Sequence, residues 1–248
     1  MAKNANVELQ IDPLKRGRLT LRLIGETPLY FNAMSAKARR DLLIGGKRKT
    51  TAQKRDIKHD PLAEFHASVY REDDGPTLLS FPAPAVKAAM ATAALETEGV
   101  TKTSVQRLIF LPHYRLRIYG TPLLKMDVVR SADISKTPDV RTRAFLPRWA
   151  TEIDIAYVTP TLSAHAIVSL LVNAGIVCGI GDYRQEKGRG SFGTFRVLGP
   201  DDQDDAWDAL MSEGREAQVA AMEAAEPADP ETRDLMAEVR QEQIRRAA

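Results

Sequence analysis

The chain has 248 residues, 44% of them hydrophobic, with one cysteine, Cys178, and a formal net charge of +2. That length suits one large domain or two small ones with a real core, and a lone cysteine excludes an internal disulfide and a cysteine-based metal site. The polar opening MAKNANVELQIDPLKRG lacks a signal-peptide core. No apolar run reaches the roughly 20 residues of a membrane span, so a soluble, cytoplasmic protein in a reducing compartment is expected.

In chain order, GRLTLRLIG (17–25) alternates Leu19, Leu21 and Leu23 with Thr20, Arg22 and Ile24, the period of a half-buried strand. SAKARRDLLIGG predicts a short helix capped by Ser35 and ended by Gly45 and Gly46. A basic loop follows. AEFHASVYREDDGPTLLSF reads as a hairpin, with Phe65, Ala67 and Val69 alternating and Asp74-Gly75 at the turn. PAPAVKAAMATAALETEG predicts a helix with Pro84 in its first turn and Gly99 as its stop. RLIFLP, YRLRIYG, LKMDVVRSA, DVRTRAFLP and TEIDIAYV read as consecutive strands. Ser163 caps the apolar helix AHAIVSLLVNAG, expected to end at Gly175. A glycine-rich loop and the strand SFGTFRVLG close the body. Two acidic helical patterns then carry Trp207, Leu210 and Met211, and Leu235, Met236 and Val239, at helical spacing. With insertions set aside, the order is βαββαβ: an α+β, ferredoxin-like or RRM core, two helices on one face of an antiparallel sheet.

The charge is unevenly placed. Residues 201–248 hold 14 Asp/Glu against 5 Arg, whereas residues 1–200 hold 30 basic against 19 acidic side chains. This asymmetry points to nucleic acid, with an acidic helical tail beyond residue 200. Residues 37–58 concentrate it: Lys37, Arg39, Arg40, Lys47, Arg48, Lys49, Lys54, Arg55 and Lys58 face only Asp41 and Asp56, a density suited to phosphate contact. GIGDYRQEKGRGSFGTFRV (179–197) has five glycines, with Arg184, Lys187 and Arg189 expected at its surface. It is neither a Walker A loop, since no lysine-hydroxyl pair follows the glycine, nor a dinucleotide fingerprint, since it follows a helix and opens a strand. A glycine backbone can approach a phosphate closely; a solvated helix-to-strand connection explains the same residues. Lys87 stands on a helix otherwise built for packing. Arg141 and Arg143 share a strand face, either a second basic stripe or a solvated surface. His59, His66, His113 and His165 show no metal-ligand spacing, and no nucleophile elbow or carboxylate pair is present.

Two segments carry a resemblance. LLSFPAPAVKAAMATAA resembles the I-P-x-S-S-L-K-G-A-L-R segment of the RAMP superfamily, the RRM-like proteins of CRISPR effector complexes. GIGDYRQEKGRGSFGTFRV resembles that superfamily's C-terminal G-G-x-x-S-R-G-F-G-x-V loop. The similarity spans roughly residues 17–198. Ala83, Ala85 and Ala88 replace small hydroxyl and glycine positions, and the loop is lengthened by Asp182-Tyr183-Arg184-Gln185-Glu186, as in a divergent member of phage or mobile-element origin. The resemblance implies a non-catalytic subunit that oligomerises along a guide-type single-stranded RNA in a CRISPR-like ribonucleoprotein, without cofactor or metal. It implies a nucleic-acid-binding domain over residues 1–200, with a thumb inserted near 46–75 or 110–145. The expected contacts are Arg39, Arg40, Lys47, Arg48, Lys49, Lys54, Arg55, Lys87, Arg143, Arg184, Lys187 and Arg189. The acidic tail (201–248) would serve subunit contacts or compete with nucleic acid for the basic groove. Two rival readings use the same residues: a phage single-stranded-DNA-binding, strand-annealing protein, and a metal-independent RNA endonuclease using His59 or His113.

Overall fold

β1 (Lys15–Gly25) organises the molecule in this computed structural model, which describes residues 13–45, 59–130, 138–187 and 190–247. Its alternation works as the sequence predicts: Leu21 and Leu23 are buried, while Arg18 and Thr20 face solvent. β9 (Ala150–Thr159) runs antiparallel beside it from Lys15↔Thr159 to Ile24↔Ala150 and buries Ile153, Ile155 and Tyr157. β10 (Phe195–Leu198) flanks β1 on its other side, and β5 (Ile109–Phe110) lies beyond β9. The sheet order is thus β10-β1-β9-β5, every neighbour antiparallel.

Two helices complete the core of that sheet. α3 (Pro84–Ala93) starts with proline in its first turn and buries Val86, Ala89, Met90 and Ala93. α5 (Ala164–Val177) is capped by Ser163, whose side chain accepts from the Ala166 amide, and buries Ile167, Leu170, Leu171 and Ala174. The two helices pack on each other and share one cluster with the inward residues of β1 and β9. α4 (Lys102–Leu108), capped by Thr101, leads into β5.

Two smaller antiparallel sheets are attached. β2 (Leu29–Tyr30) pairs with β8 (Pro138–Leu146), which forms a long hairpin with β7 (Leu123–Arg130). β3 (Tyr70–Arg71), β4 (Leu79–Pro82) and β6 (Arg115–Arg117) make the third. α1 (Ala36–Ile44) is capped by Ser35 and closed by Gly45 at φ +81°, as expected from the sequence. The chain is therefore a mixed α+β structure with three antiparallel sheets and seven α-helices among the described residues. None of those helices is long and apolar enough to cross a membrane.

Three local expectations are corrected. The first limb of the expected 63–81 hairpin is a helix, α2 (Pro61–Ala67), so only Tyr70 onward is hairpin. The Asp60 side chain accepts from the Ala63 amide and Pro61 opens the helix, which outweighs the alternation of Phe65, Ala67 and Val69. The expected strand over 107–112 is helical to Leu108. Gly175 does not end α5: it lies inside the helix, where a Cβ would collide with the Phe195 carbonyl oxygen, so its lack of a side chain lets β10 approach.

The acidic C-terminal segment folds back on the body. α6 (Asp205–Glu223), kinked at Gly214, buries Trp207, Leu210, Gln218 and Met222. The Gln218 carbonyl accepts from the Leu78 and Leu79 amides at 2.8 and 3.0 Å, and its amino group donates to the carbonyls of Ile118 and Gly120 at 2.7 and 3.0 Å. α7 (Pro230–Ala247) lies along β7, with Thr232 and Met236 buried.

Candidate nucleic-acid interface

The glycine loop leaves α5 at Cys178 and returns as β10 at Phe195. Main-chain bonds hold it onto the 28–30 segment: the Gly193 amide donates to the Pro28 carbonyl at 2.8 Å, and the Asp182 amide to the Tyr30 carbonyl at 3.1 Å. Across the loop, the Ile180 amide donates to the Gly193 carbonyl at 2.9 Å. Gly181, at φ +92°, would place a Cβ 2.7 Å from Leu29 Cδ1 and 2.8 Å from the Tyr30 carbonyl oxygen. Gly193, at φ +74°, crowds the Ile180 carbonyl in the same way. Gly181 and Gly193 thus serve approach of the loop to its own neighbours.

Arg143 is a further correction. Alternation does place it on the face of Arg141, and Arg141 is exposed, but the glycine loop covers the Arg143 end of that face and leaves it 2% exposed. Its guanidinium donates to Asp182 at 2.6 Å and to Asp127 at 2.9 Å, and stacks 4.9 Å from the Tyr30 ring and 4.5 Å from that of Tyr183. Burial opposes the charge, yet hydrogen bonding to Tyr183 and the two carboxylates outweigh it and raise the Arg143 pKa. Burial, reinforced by Asp127, likewise raises the Tyr30 hydroxyl. Arg143 is thus a strut joining β7, β8 and the loop, with no free phosphate-binding edge on the surface.

The other predicted residues are dispersed. Arg39 and Arg40 are exposed on α1, the helix that enters the basic segment. Lys47, Arg48, Lys49, Lys54 and Arg55 lie outside the described residues, as does Arg189. Lys187 ends the short turn Gln185–Lys187. Arg184 is half-buried rather than freely exposed: it donates to Glu186 at 2.8 Å and to the Gly181 carbonyl at 3.0 Å. Lys87 reaches from α3 to within 5.8 Å of the Phe110 ring centroid.

Beside the loop the structure opens a cleft of about 190 Å³, walled by Tyr30, Tyr70 and Phe81 and edged by Asn32, Asp182 and Arg184. Asn32 donates to Asp182 at 2.9 Å. The Arg115 guanidinium stacks 4.3 Å from the Tyr70 ring. Tyr30 and Phe81 are themselves buried and Arg115 lies over Tyr70, so the cleft offers a ligand chiefly its amide, carboxylate and guanidinium rim. On the other side of the loop, a larger cleft of about 450 Å³ includes Lys125, Tyr183, Phe192 and Glu231, so α7 sets an acidic residue next to the glycine loop. Sequence reading missed these aromatic walls, because Tyr30, Tyr70 and Phe81 stand on three short strands that only the fold gathers. His59 is bound at both ring nitrogens, to Glu64 at 2.8 Å and Asp139 at 3.2 Å, and Glu64 also accepts from the Thr142 amide. It braces α2 to β8.

No family model matches the chain, and no curated protein matches it. Among solved structures it is similar to Cmr6 from Pyrococcus furiosus, at 11% identity and a TM-score of 0.31, over 75% of this chain and 99% of that one. A likeness so slight assigns neither fold nor function.

Proposed function

We propose that the chain is a RAMP-like, non-catalytic RNA-binding subunit that oligomerises head-to-tail along a guide-type single strand in a CRISPR-like ribonucleoprotein of the cytoplasm. The observation that carries this reading is the order β10-β1-β9-β5, with α3 and α4 between β1 and β5, and α5 between β9 and β10. That order supports reading the sheet and its helices as a ferredoxin-like split βαβ core. The glycine loop occupies the crossover from its second helix to its last strand, the place the family motif occupies. In this reading residues 1–200 form the nucleic-acid-binding domain and 201–248 a helical tail that braces it. The β7–β8 hairpin is the inserted thumb. Phosphates are held by Arg39, Arg40, the basic segment containing Lys47, Arg48, Lys49, Lys54 and Arg55, and by Arg184, Lys187 and Arg189. Both ring nitrogens of His59 are occupied, which weighs against its use as an acid–base in RNA cleavage.

The test is filter binding of the full-length protein to labelled single-stranded RNA and to DNA of the same sequence, over a range of salt. The reading expects tighter RNA binding, with log affinity falling by about 0.7 per neutralised phosphate for each tenfold rise in salt. It also expects co-purifying RNA of uniform length. Preference for DNA would move the assignment to a strand-annealing protein. A nucleic-acid-free monomer that binds neither strand would overturn both.

A further inference from the structure

The outer face of the four-stranded sheet is divided. Over one half, α6 lays Trp207 and Leu210 on Ile24, Ala150 and Leu198. The cations of that half are engaged. Arg22 donates to the carbonyls of Gly199, Pro200 and Asp202, and Arg196 pairs with Asp204. On the other half Arg16 and Arg18 are exposed, with no helix of the described residues laid over them. Register sets Arg16 beside Val158, Arg18 beside Ala156, and Ala156 beside Phe110. The short Ala156 side chain leaves room for the Phe110 ring to reach across β9 to β1. There the Arg16 guanidinium lies 5.0 Å from the ring centroid, and Lys87 approaches the same ring from α3. Phe110 is 37% exposed. Arg16, Arg18 and Lys87 have no ion pair among the described residues. Asp154, the nearest acid on β9, is occupied by the Thr20 hydroxyl at 2.5 Å and by His113 at 3.3 Å.

Arg16 and Lys87 at the exposed Phe110 ring, with Arg18 next along β1, repel each other and have no ion-pair partner among the described residues. A simple anion would use the cations and leave the ring idle; single-stranded nucleic acid uses both. We propose that this half-face is a second nucleic-acid site, taking one base on the Phe110–Arg16 surface and the flanking phosphates on Arg18 and Lys87. The proposal rests on the RNA-binding reading above and adds to it a contact separate from the glycine loop.

The experiment is fluorescence anisotropy of the full-length protein with a labelled polyuridine strand, together with photocrosslinking of the same strand carrying 5-iodouridine. Phe110→Leu is expected to weaken binding about tenfold, the scale of one lost base–aromatic stack, while Phe110→Trp retains it. Arg16→Gln with Arg18→Gln is expected to reduce the steepness of the salt dependence by roughly one. The crosslink in the unmodified protein is expected on the tryptic peptide spanning 108–115, and this readout stands if a variant fails to fold. Unchanged binding by folded variants, or crosslinks confined to other peptides, overturns this site and leaves the glycine-loop reading intact. No strand binding by the unmodified protein overturns both.

Discussion

At the scale of single residues, Arg143 shows how a basic side chain can be structural. Its planar fork reaches two carboxylates on different elements while its faces lie near two tyrosine rings, a combination a lysine cannot supply. Replacing it with methionine leaves Asp182 without the guanidinium and Asp127 with only Lys125, 3.6 Å away, as counter-charge. Removing one partner of a buried pair costs about 3–5 kcal/mol, and the lower figure applies here because both carboxylates keep some access to water. Arg143→Met is therefore expected to lower urea-unfolding stability by about 3 kcal/mol, with part regained when Asp182→Asn is added. A loss below about 0.5 kcal/mol, the size of an ordinary surface change, would show that the strut bears no strain.

At the scale of elements, the docking of α7 on β7 depends on charge. Lys125 of β7 pairs with Asp229, the residue before the helix, and the Asp229 carboxylate also accepts from the Thr232 amide at 2.8 Å. Partial burial would raise the Asp229 pKa, but the bonds from Lys125 and Thr232 prevail and hold it at about 2. A carboxylate depressed in the folded state stabilises the fold above its unfolded pKa near ~4, and loses that contribution as pH falls toward its folded value. Lys125 shifts the other way: burial opposes its charge, yet Asp229 and Asp127 raise its pKa. Its contribution is present below ~10.4 and fades as pH climbs past that point. The melting-temperature difference between the unmodified protein and Asp229→Asn is expected to be constant near neutrality and to vanish between pH ~4 and ~2. A difference that persists undiminished at the acid end would remove the pair from the account of docking.

At the scale of the whole molecule, the acidic tail belongs to the folded unit. Gln218 alone satisfies two amides and two carbonyls of the β4–β6 region, and Met222 and Met236 join the main cluster. Truncation after residue 200 strands those four backbone groups, each costing about 1–3 kcal/mol if buried unpaired, and uncovers the Trp207 side of the sheet. The fragment 1–200 is expected to be proteolysed rapidly and to lose its cooperative thermal transition. A fragment that melts like the full chain would make the tail a detachable appendage. The net charge of the tail is thus carried on helices whose buried faces are structural, while its acidic faces look outward beside a basic body.

What the sequence determined by itself is local. Alternation placed β1, and β-branched and aromatic content placed β7, β8 and β9; Ser35 and Ser163 marked the starts of α1 and α5; and Pro84 marked the start of α3. These signals act over a few residues, through capping bonds and side-chain period, and so can be read in one dimension. Tertiary structure decided the rest. The alternation of β8 gave Arg141 and Arg143 one face, but only the loop lying over one end made Arg143 a strut. Gly175 reads as a helix stop until β10 is seen pressed against it. Tyr30, Tyr70 and Phe81, or Arg16, Lys87 and Phe110, have no spacing that links them. Whether a side chain is a surface charge, a strut or part of a cleft depends on which distant segment lies opposite, and burial and electrostatics are set by that neighbour rather than by the residue itself.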